Sequence, residues 1–195
     1  MAVQARGSRD DVRSLSSEDG GQGMNLLGLS NFTKWKQEAV SKLIQNENLM
    51  KLMYYNTPDA LSKPALTEEQ VSSMVAPGKD QQIFQYRHVS NLATKQTSYI
   101  SMELAYFKPL EEFRLFSEKY VSGLFYIYIL SDIKIMETHQ GIRTDLILKE
   151  VYRSLDGLDS LIGMGKLGVE TQLPLWVDNN SFGGYSIGFK VSDLK

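Results

Sequence analysis

The segment from Val121 to Ile135 constrains the fold most, because its centre is continuously apolar. Leu124 to Leu130 is the longest apolar run in the chain and is rich in β-branched and aromatic residues. It has the length of a strand and is far shorter than the roughly 20 apolar residues that a membrane helix needs. Because the run is apolar on both faces, it predicts a central strand that is covered on both sides. No membrane association is expected.

Other strands are predicted from the alternation of apolar and polar residues. Residues 81–88 and 100–106 show this period of two, and Pro109 ends the second pattern. Near the end of the chain, residues 173–177 and 185–191 alternate in the same way. The last two segments therefore predict a terminal hairpin.

Helices are predicted where apolar residues recur at spacings of three and four. Residues 31–45 and 143–155 each carry one apolar stripe, and residues 46–48 separate the first helix from a short one at 49–53. Residues 67–70 have the capping-box pattern that opens another helix. Helices come first and strands follow with one helix between them. This order predicts a single α+β domain with helices flanking a mostly antiparallel sheet.

Residues 1–24 are predicted to form a flexible N-terminal arm, and residues 25–195 the structural domain. The arm is rich in glycine and serine, and it has too few apolar groups to offset the entropy lost on ordering. We expect it to be disordered in an isolated subunit and to lie on a neighbouring chain in an assembly. The N-terminus lacks the apolar core of a secretory signal, so synthesis in the host cytoplasm is expected.

The sequence carries no recognisable catalytic or metal-binding motif. The absence of cysteine excludes thiolate nucleophiles and cysteine-ligated zinc. The two histidines, His88 and His139, have no accompanying motif of a nucleophilic triad. Gly163 to Gly168 spells G-x-G-x-x-G, but it follows a predicted helix and precedes a strand, the reverse of a dinucleotide site. We expect no enzymatic activity, no cofactor and no bound metal.

Sequence-specific binding of nucleic acid is not expected either. The formal net charge of −2 gives no general attraction to phosphates. The aromatic run Phe125, Tyr126 and Tyr128 has no basic residue before Lys134, whereas sheets that bind nucleic acid interleave aromatic with basic residues. We interpret this run as sheet core.

The loop from Asp178 to Gly184 is the predicted contact surface for a partner protein. Its glycines permit sharp bends, and we expect Phe182 to be exposed at its tip, where an aromatic side chain could dock into a partner. The alternative is that Phe182 folds back onto its own sheet. The predicted interface residues are Trp176, Asn179, Asn180, Phe182, Gly183, Gly184 and Tyr185.

The order of these elements resembles the neck proteins of tailed bacteriophages, especially the tail-terminator and tail-completion group. A leading helix ends in residues 49–55, and Asn56 to Pro64 follows it. Paired long strands come next, then Gly141 to Asp145 opening a helix, and then the final hairpin. The resemblance covers residues 30–193.

This resemblance implies a small sheet flanked by helices and a homo-oligomeric ring of six or more subunits. Such a ring caps the tail tube and joins it to the head connector and its adaptor proteins, and DNA passes through it. The resemblance implies no catalytic residue. Three alternatives remain: a head-closure or connector-adaptor protein, a regulatory binding domain outside the virion, and an enzyme with an unfamiliar site.

Overall fold

The predicted central strand lies in the middle of a sheet that has five strands among the described residues. The structure is a computed structural model, and it describes residues 31–87, 95–109, 120–156, 167–176 and 181–194. The strands are β1 (Ile83–Phe84), β2 (Ser98–Pro109), β3 (Tyr120–Asp132), β4 (Glu137–Thr138), β5 (Gly141–Ile142), β6 (Gly168–Trp176) and β7 (Phe182–Leu194).

The sheet is mostly antiparallel, as predicted. Its strand order is β1-β2-β3-β7-β6. β1 pairs in parallel with β2, and the other neighbours pair in antiparallel. β4 and β5 form a separate two-stranded ribbon. The flanking helices of the described chain are α1 (Asn31–Ile44), α2 (Glu47–Tyr54), α3 (Glu68–Val75) and α4 (Arg143–Leu155). The α+β class with a single domain is therefore confirmed, while the division into an arm at residues 1–24 and a domain at 25–195 stays a prediction because residues 1–24 lie outside the described residues.

One face of the sheet forms the main core with the helices. Phe125 and Ile127 of β3 pair with Phe189 and Ile187 of β7, and all four side chains are buried. Along β3 these buried residues alternate with half-buried ones such as Tyr126 and Tyr128. Among the described residues, the helices pack on the face of β3 that carries Phe125 and Ile127, and the other face is only half-buried. Full cover of β3 on both sides is therefore not confirmed by the described part of the chain.

The predicted break after the first helix occurs at Asn46, which begins α2 as its N-cap. The Asn46 side chain accepts a hydrogen bond from the Leu49 amide at 3.0 Å. The side-chain amide also donates to a carboxylate oxygen of Glu150 at 3.1 Å and to the hydroxyl of Ser154 at 3.0 Å. Glu47 belongs to α2 and does not separate the helices. One residue thus starts α2 and ties it to α4.

The predicted capping box is confirmed at the start of α3. The Gln70 amide donates to the Thr67 hydroxyl at 3.3 Å, and the Thr67 amide donates to the Gln70 side chain at 2.9 Å. Two free amides at the helix start are satisfied in this way.

Arg143 is a fully buried cation at the start of α4. Its guanidinium donates to the carbonyl oxygens of Ile135 at 2.7 Å, Leu52 at 2.6 Å, Tyr55 at 2.8 Å and Thr57 at 2.9 Å. The Leu52 and Tyr55 carbonyls lie at the end of α2, where the helix dipole is negative and carbonyls lack helical partners. Burial removes water from the guanidinium and lowers the pKa of Arg143. The four carbonyl oxygens take the place of that water as hydrogen-bond acceptors.

We predict that Arg143→Ala lowers the free energy of unfolding by about 3–5 kcal/mol, because several buried carbonyls lose their donor. Urea unfolding followed by circular dichroism would measure this. The control is Arg153→Ala on the same helix, whose side chain is 56% exposed and whose loss should cost less than about 1 kcal/mol. Equal stability of the two variants would contradict the assigned role of Arg143.

Candidate protein-interaction surface

The sheet face opposite the main core carries a group of aromatic and charged side chains. We call this group the tyrosine face and define it as Arg87, Glu103, Tyr106, Tyr126 and Tyr128. The Tyr126 and Tyr128 rings are stacked with centroids 5.9 Å apart, and the Tyr106 ring meets Tyr126 edge-on at 6.1 Å. The Tyr106 side chain is 75% exposed. Large aromatic groups at such a surface are typical of protein interfaces.

The pairing register explains why these rings lie together. Tyr126 is opposite Glu103 on one side and Gly188 on the other. A Cβ atom at Gly188 would lie 3.0 Å from the Tyr126 ring and 2.7 Å from the Thr171 methyl group. The absence of a side chain at this position therefore lets the tyrosine ring lie across β7. Two residues along β3 on the same face, Tyr128 is opposite Ser186 of β7, and Ser186 is in turn opposite Leu173 of β6. Leu173 is 56% exposed.

A bulge in β2 brings Tyr106 to this face. The register with β3 shifts between Ala105 and Lys108, and Tyr106 has a φ of 58°. Bulky residues rarely adopt this left-handed conformation, which costs about 1–2 kcal/mol. The next residue, Phe107, then packs on the core side with its ring 4.7 Å from that of Phe32. Regular alternation after Ala105 would point Tyr106 to the core and Phe107 to the outer face, and the bulge exchanges the two.

Gly123 makes room for that arrangement. A Cβ atom at Gly123 would lie 2.7 Å from the Phe107 ring. The contact of Phe107 with Phe32 and Trp35 of α1 therefore depends on a glycine in β3. The strained position of Tyr106 is held by packing on the other side of the sheet.

The charged members of the tyrosine face are positioned by Tyr128. Its hydroxyl donates to a Glu103 carboxylate oxygen at 2.6 Å, and the Arg87 guanidinium lies 5.4 Å from the centre of its ring. Arg87 and Glu103 approach within 3.8 Å, with side chains 59% and 34% exposed. Burial and the bond to Glu103 raise the pKa of Tyr128 far above its ordinary value. The phenol therefore remains a donor at neutral pH and holds the carboxylate in place.

The expectation that Phe182 is exposed at a loop tip is wrong. Phe182 is the first residue of β7 and is 2% exposed. Its ring lies 5.8 Å from that of Tyr99, and both belong to a small cluster with Phe84. Pairing of Phe182 with Asp132 extends β7 and draws the ring onto its own sheet. The alternative weighed for this residue, folding back onto its own sheet, is the one observed.

The other predicted interface residues are not gathered into one surface by the described structure. Trp176 ends β6, and Asn179 and Asn180 lie outside the described residues. Gly183 and Gly184 belong to β7, where a Cβ atom at Gly184 would overlap the Ile129 carbonyl. The Tyr185 hydroxyl donates to Asp145 at 2.8 Å, which ties β7 to α4. A partner contact through these residues stays a prediction.

Sequence reasoning missed the tyrosine face because it assigned the whole aromatic run to the core. That interpretation is confirmed for Phe125 and wrong for Tyr126 and Tyr128, which are half-buried on the outer face. The alternation of Phe125, Tyr126, Ile127 and Tyr128 was the available signal, since the tyrosines share one side of the strand.

The residues considered for chemistry do not form a common site in the described structure. His139 is exposed and its amide donates to the Pro58 carbonyl, while His88 and residues 163–166 lie outside the described residues. Within the described ranges, no group of three or more potential metal-ligating side chains is found. None of the helices in the same ranges has the length and apolarity needed to cross a membrane.

A polar cavity of about 390 Å³ lies between α2, α3 and the start of β2. Its charged groups, Lys95 and Asp80, pair with each other at 2.7 Å. Gln82 donates to Thr97 and to the Met53 carbonyl, so the cavity wall is joined by its own hydrogen bonds. The arrangement serves as a polar junction between the helices and the sheet.

Comparing two substitutions of Tyr106 tests the strain in the bulge. We predict that Tyr106→Gly is more stable than Tyr106→Ala by about 1 kcal/mol, because only glycine adopts a positive φ without a steric cost. Both variants lose the same ring, so that loss cancels in the comparison. Thermal unfolding of both proteins would measure the difference. An alanine variant as stable as the glycine variant would show that the bulge is unstrained.

Comparison with known proteins adds a family to this description. The family model named YomW matches residues 46–191. A chain from the structure titled "Virion of native gene transfer agent (GTA) particle" is 13% identical over 60% of this chain and 81% of its own length, with a TM-score of 0.39. A likeness this weak carries no argument about fold or function. No curated protein matches the sequence. Because the family match spans most of its residues, the chain belongs to the YomW family.

Proposed function

We propose that this chain is a structural protein of a phage-type virion. The observation that carries the proposal is the tyrosine face, an exposed aromatic surface on a sheet whose helices all lie on the other side among the described residues. Membership of the phage-associated YomW family supports the virion setting. The resemblance of the element order to phage neck proteins supports it independently.

Within the virion, the finer proposal is a tail-terminator-like ring subunit of the neck. The ring caps the tail tube and joins the tail to the head connector, and DNA passes through without being read in sequence. Assembly proteins of this kind need a stable body with a separate contact surface. The buried Arg143 and the main core supply the body, and the tyrosine face supplies the surface.

The tyrosine face has the physical properties of a contact surface. Tyrosine rings bury a large area on binding and lose little conformational freedom. Tyr106 keeps 75% of its surface exposed in a strained conformation, which is costly for an isolated subunit. Strain of this kind concentrates at functional positions, where a gain on binding offsets it.

The same proposal assigns the chain no enzymatic activity. The shifted pKa values of Tyr128 and Arg143 belong to groups that make structural bonds. Tyr128 holds Glu103, and Arg143 binds the carbonyls at the end of α2. The Glu103 carboxylate beside Tyr128 is itself paired with Arg87, and Arg143 is fully buried, so the bonds of both groups are made within the fold.

Removing the gene from a phage that encodes the protein tests the virion role. We expect electron micrographs to show heads and tails that are not joined, with infectivity restored by supplying the protein in trans. Mass spectrometry of purified wild-type particles should detect the chain. Absence of the protein from particles, with normal assembly of the mutant, would overturn the proposal.

The form of the mutant particles also distinguishes a tail terminator from a head-closure protein. Tails of irregular length would support a tail terminator, because the terminator stops growth of the tube. Heads that lose their DNA while tails remain of normal length would instead support the head-closure alternative. Light scattering of the purified protein should give the mass of a ring of six or more subunits.

A further inference from the structure

We infer that the tyrosine face binds the tyrosine face of a second copy of this chain. A two-fold contact pairs two copies and does not itself close a ring, so this inference is separate from the ring proposal and from a place in a virion. It rests on the paired charges of the face, the aromatic groups beside them and the interruptions at the sheet edges.

The charge arrangement is complementary to itself. Arg87 lies over the Tyr128 ring, Glu103 accepts from its hydroxyl, and the two charged groups are only 3.8 Å apart at their closest atoms. A two-fold axis that passes between them places Arg87 of each copy against Glu103 of the other. One surface can thus supply both members of two ion pairs, as a two-fold symmetric interface requires. An unlike partner would need a matching acid and base of its own.

The two groups are ordered before any partner arrives. The bond from the Tyr128 hydroxyl fixes Glu103, and the ring of the same residue supports Arg87. Arg87 carries five N–H groups, and its contact with Glu103 at 3.8 Å is too long for a strong hydrogen bond. The guanidinium therefore keeps donors for a carboxylate across an interface. Ordering in advance reduces the entropy lost on association.

The aromatic groups supply the apolar part of the contact. Tyr106 projects from the bulge beside Tyr126, and exposed Leu173 lies in the row of Tyr128. Two sheets that pack face to face stand about 10 Å apart, a gap that interdigitating tyrosine side chains can fill. The charges then lie within a partly apolar contact, where their attraction is stronger than in water.

The sheet edges are less suited to pairing with another copy. At the outer edge of β1, the side chain of Gln81 donates a hydrogen bond to the Ile83 carbonyl. That carbonyl is therefore already bonded and is less able to pair with another strand. The bulge at Tyr106 breaks the regular edge of β2, and Pro174 removes an N–H from β6. Bulges and prolines are devices that prevent pairing between sheet edges. The face is therefore favoured over the edges as the contact between copies.

Two charge-reversal variants, measured alone and mixed in equal amounts, test the inference. Arg87→Glu makes the charged part of the face acidic, and Glu103→Arg makes it basic, so each variant alone should have at least about a tenfold higher Kd for self-association. An equimolar mixture of the two variants should associate again, because an acidic face meets a basic one. Analytical ultracentrifugation over a concentration series would measure all three samples. Circular dichroism would confirm that both variants are folded.

Matched controls come from exposed charges away from the face. Lys149→Glu on α4 and Glu137→Arg on β4 change the net charge by the same amounts and should leave association unchanged. Wild-type protein that stays monomeric at about 100 µM would overturn the inference. Variants that self-associate like the wild type, or a mixture that stays dissociated, would also overturn it.

The outcome is distinguishable from that of the proposed function. A ring whose mass is unaffected by either charge reversal would contradict the inference and leave the ring proposal standing. Pairing that responds to charge reversal, in a protein that is absent from virions, would support the inference and overturn the virion role.

Discussion

The buried guanidinium of Arg143 is the interaction on which the rest of this fold depends. It binds carbonyls from the end of α2 and from the turn before β4, and it does so at the first residue of α4. Asn46 makes a second polar junction between α2 and α4 at the other end of α2. Because α4 also packs on β3 and β7, these two junctions fix the helices relative to the sheet. The sheet is thereby held rigid from one side, and its other face is left for contacts.

The outer face divides into two parts of different character. Around Phe84, Tyr99 and Phe182 it is closed and buried. Around Tyr106, Tyr126 and Tyr128 it is more open, polar at the hydroxyl groups and flanked by charges. The difference comes from β1 and the start of β7, which supply the apolar rings at one end of the sheet. A contact surface results at the other end, where β2 has its bulge.

Most of the fold could be predicted from sequence periodicity, and most of the surface could not. The stripes of α1 and α4, the capping box at Thr67 and the long strands follow from local patterns. Arg143 was not recognised as a core residue, because a buried cation depends on carbonyls brought from residues 86 to 91 positions away. Phe182 was expected in a loop because its glycine neighbours indicate a turn, but strand pairing with Asp132 overrides that local signal.

The bulge in β2 also governs how this chain can change in length. The bulge gives β2 one residue more than β3 over this stretch, since Ala105 is opposite Leu124 and Lys108 is opposite Ser122. Deleting that extra residue would restore a regular ladder and leave the residues on both sides of the bulge on their present faces. A deletion elsewhere in β2 would instead exchange the faces of every residue on one side of it, so the bulge is a place where this strand can lose a residue without losing its register.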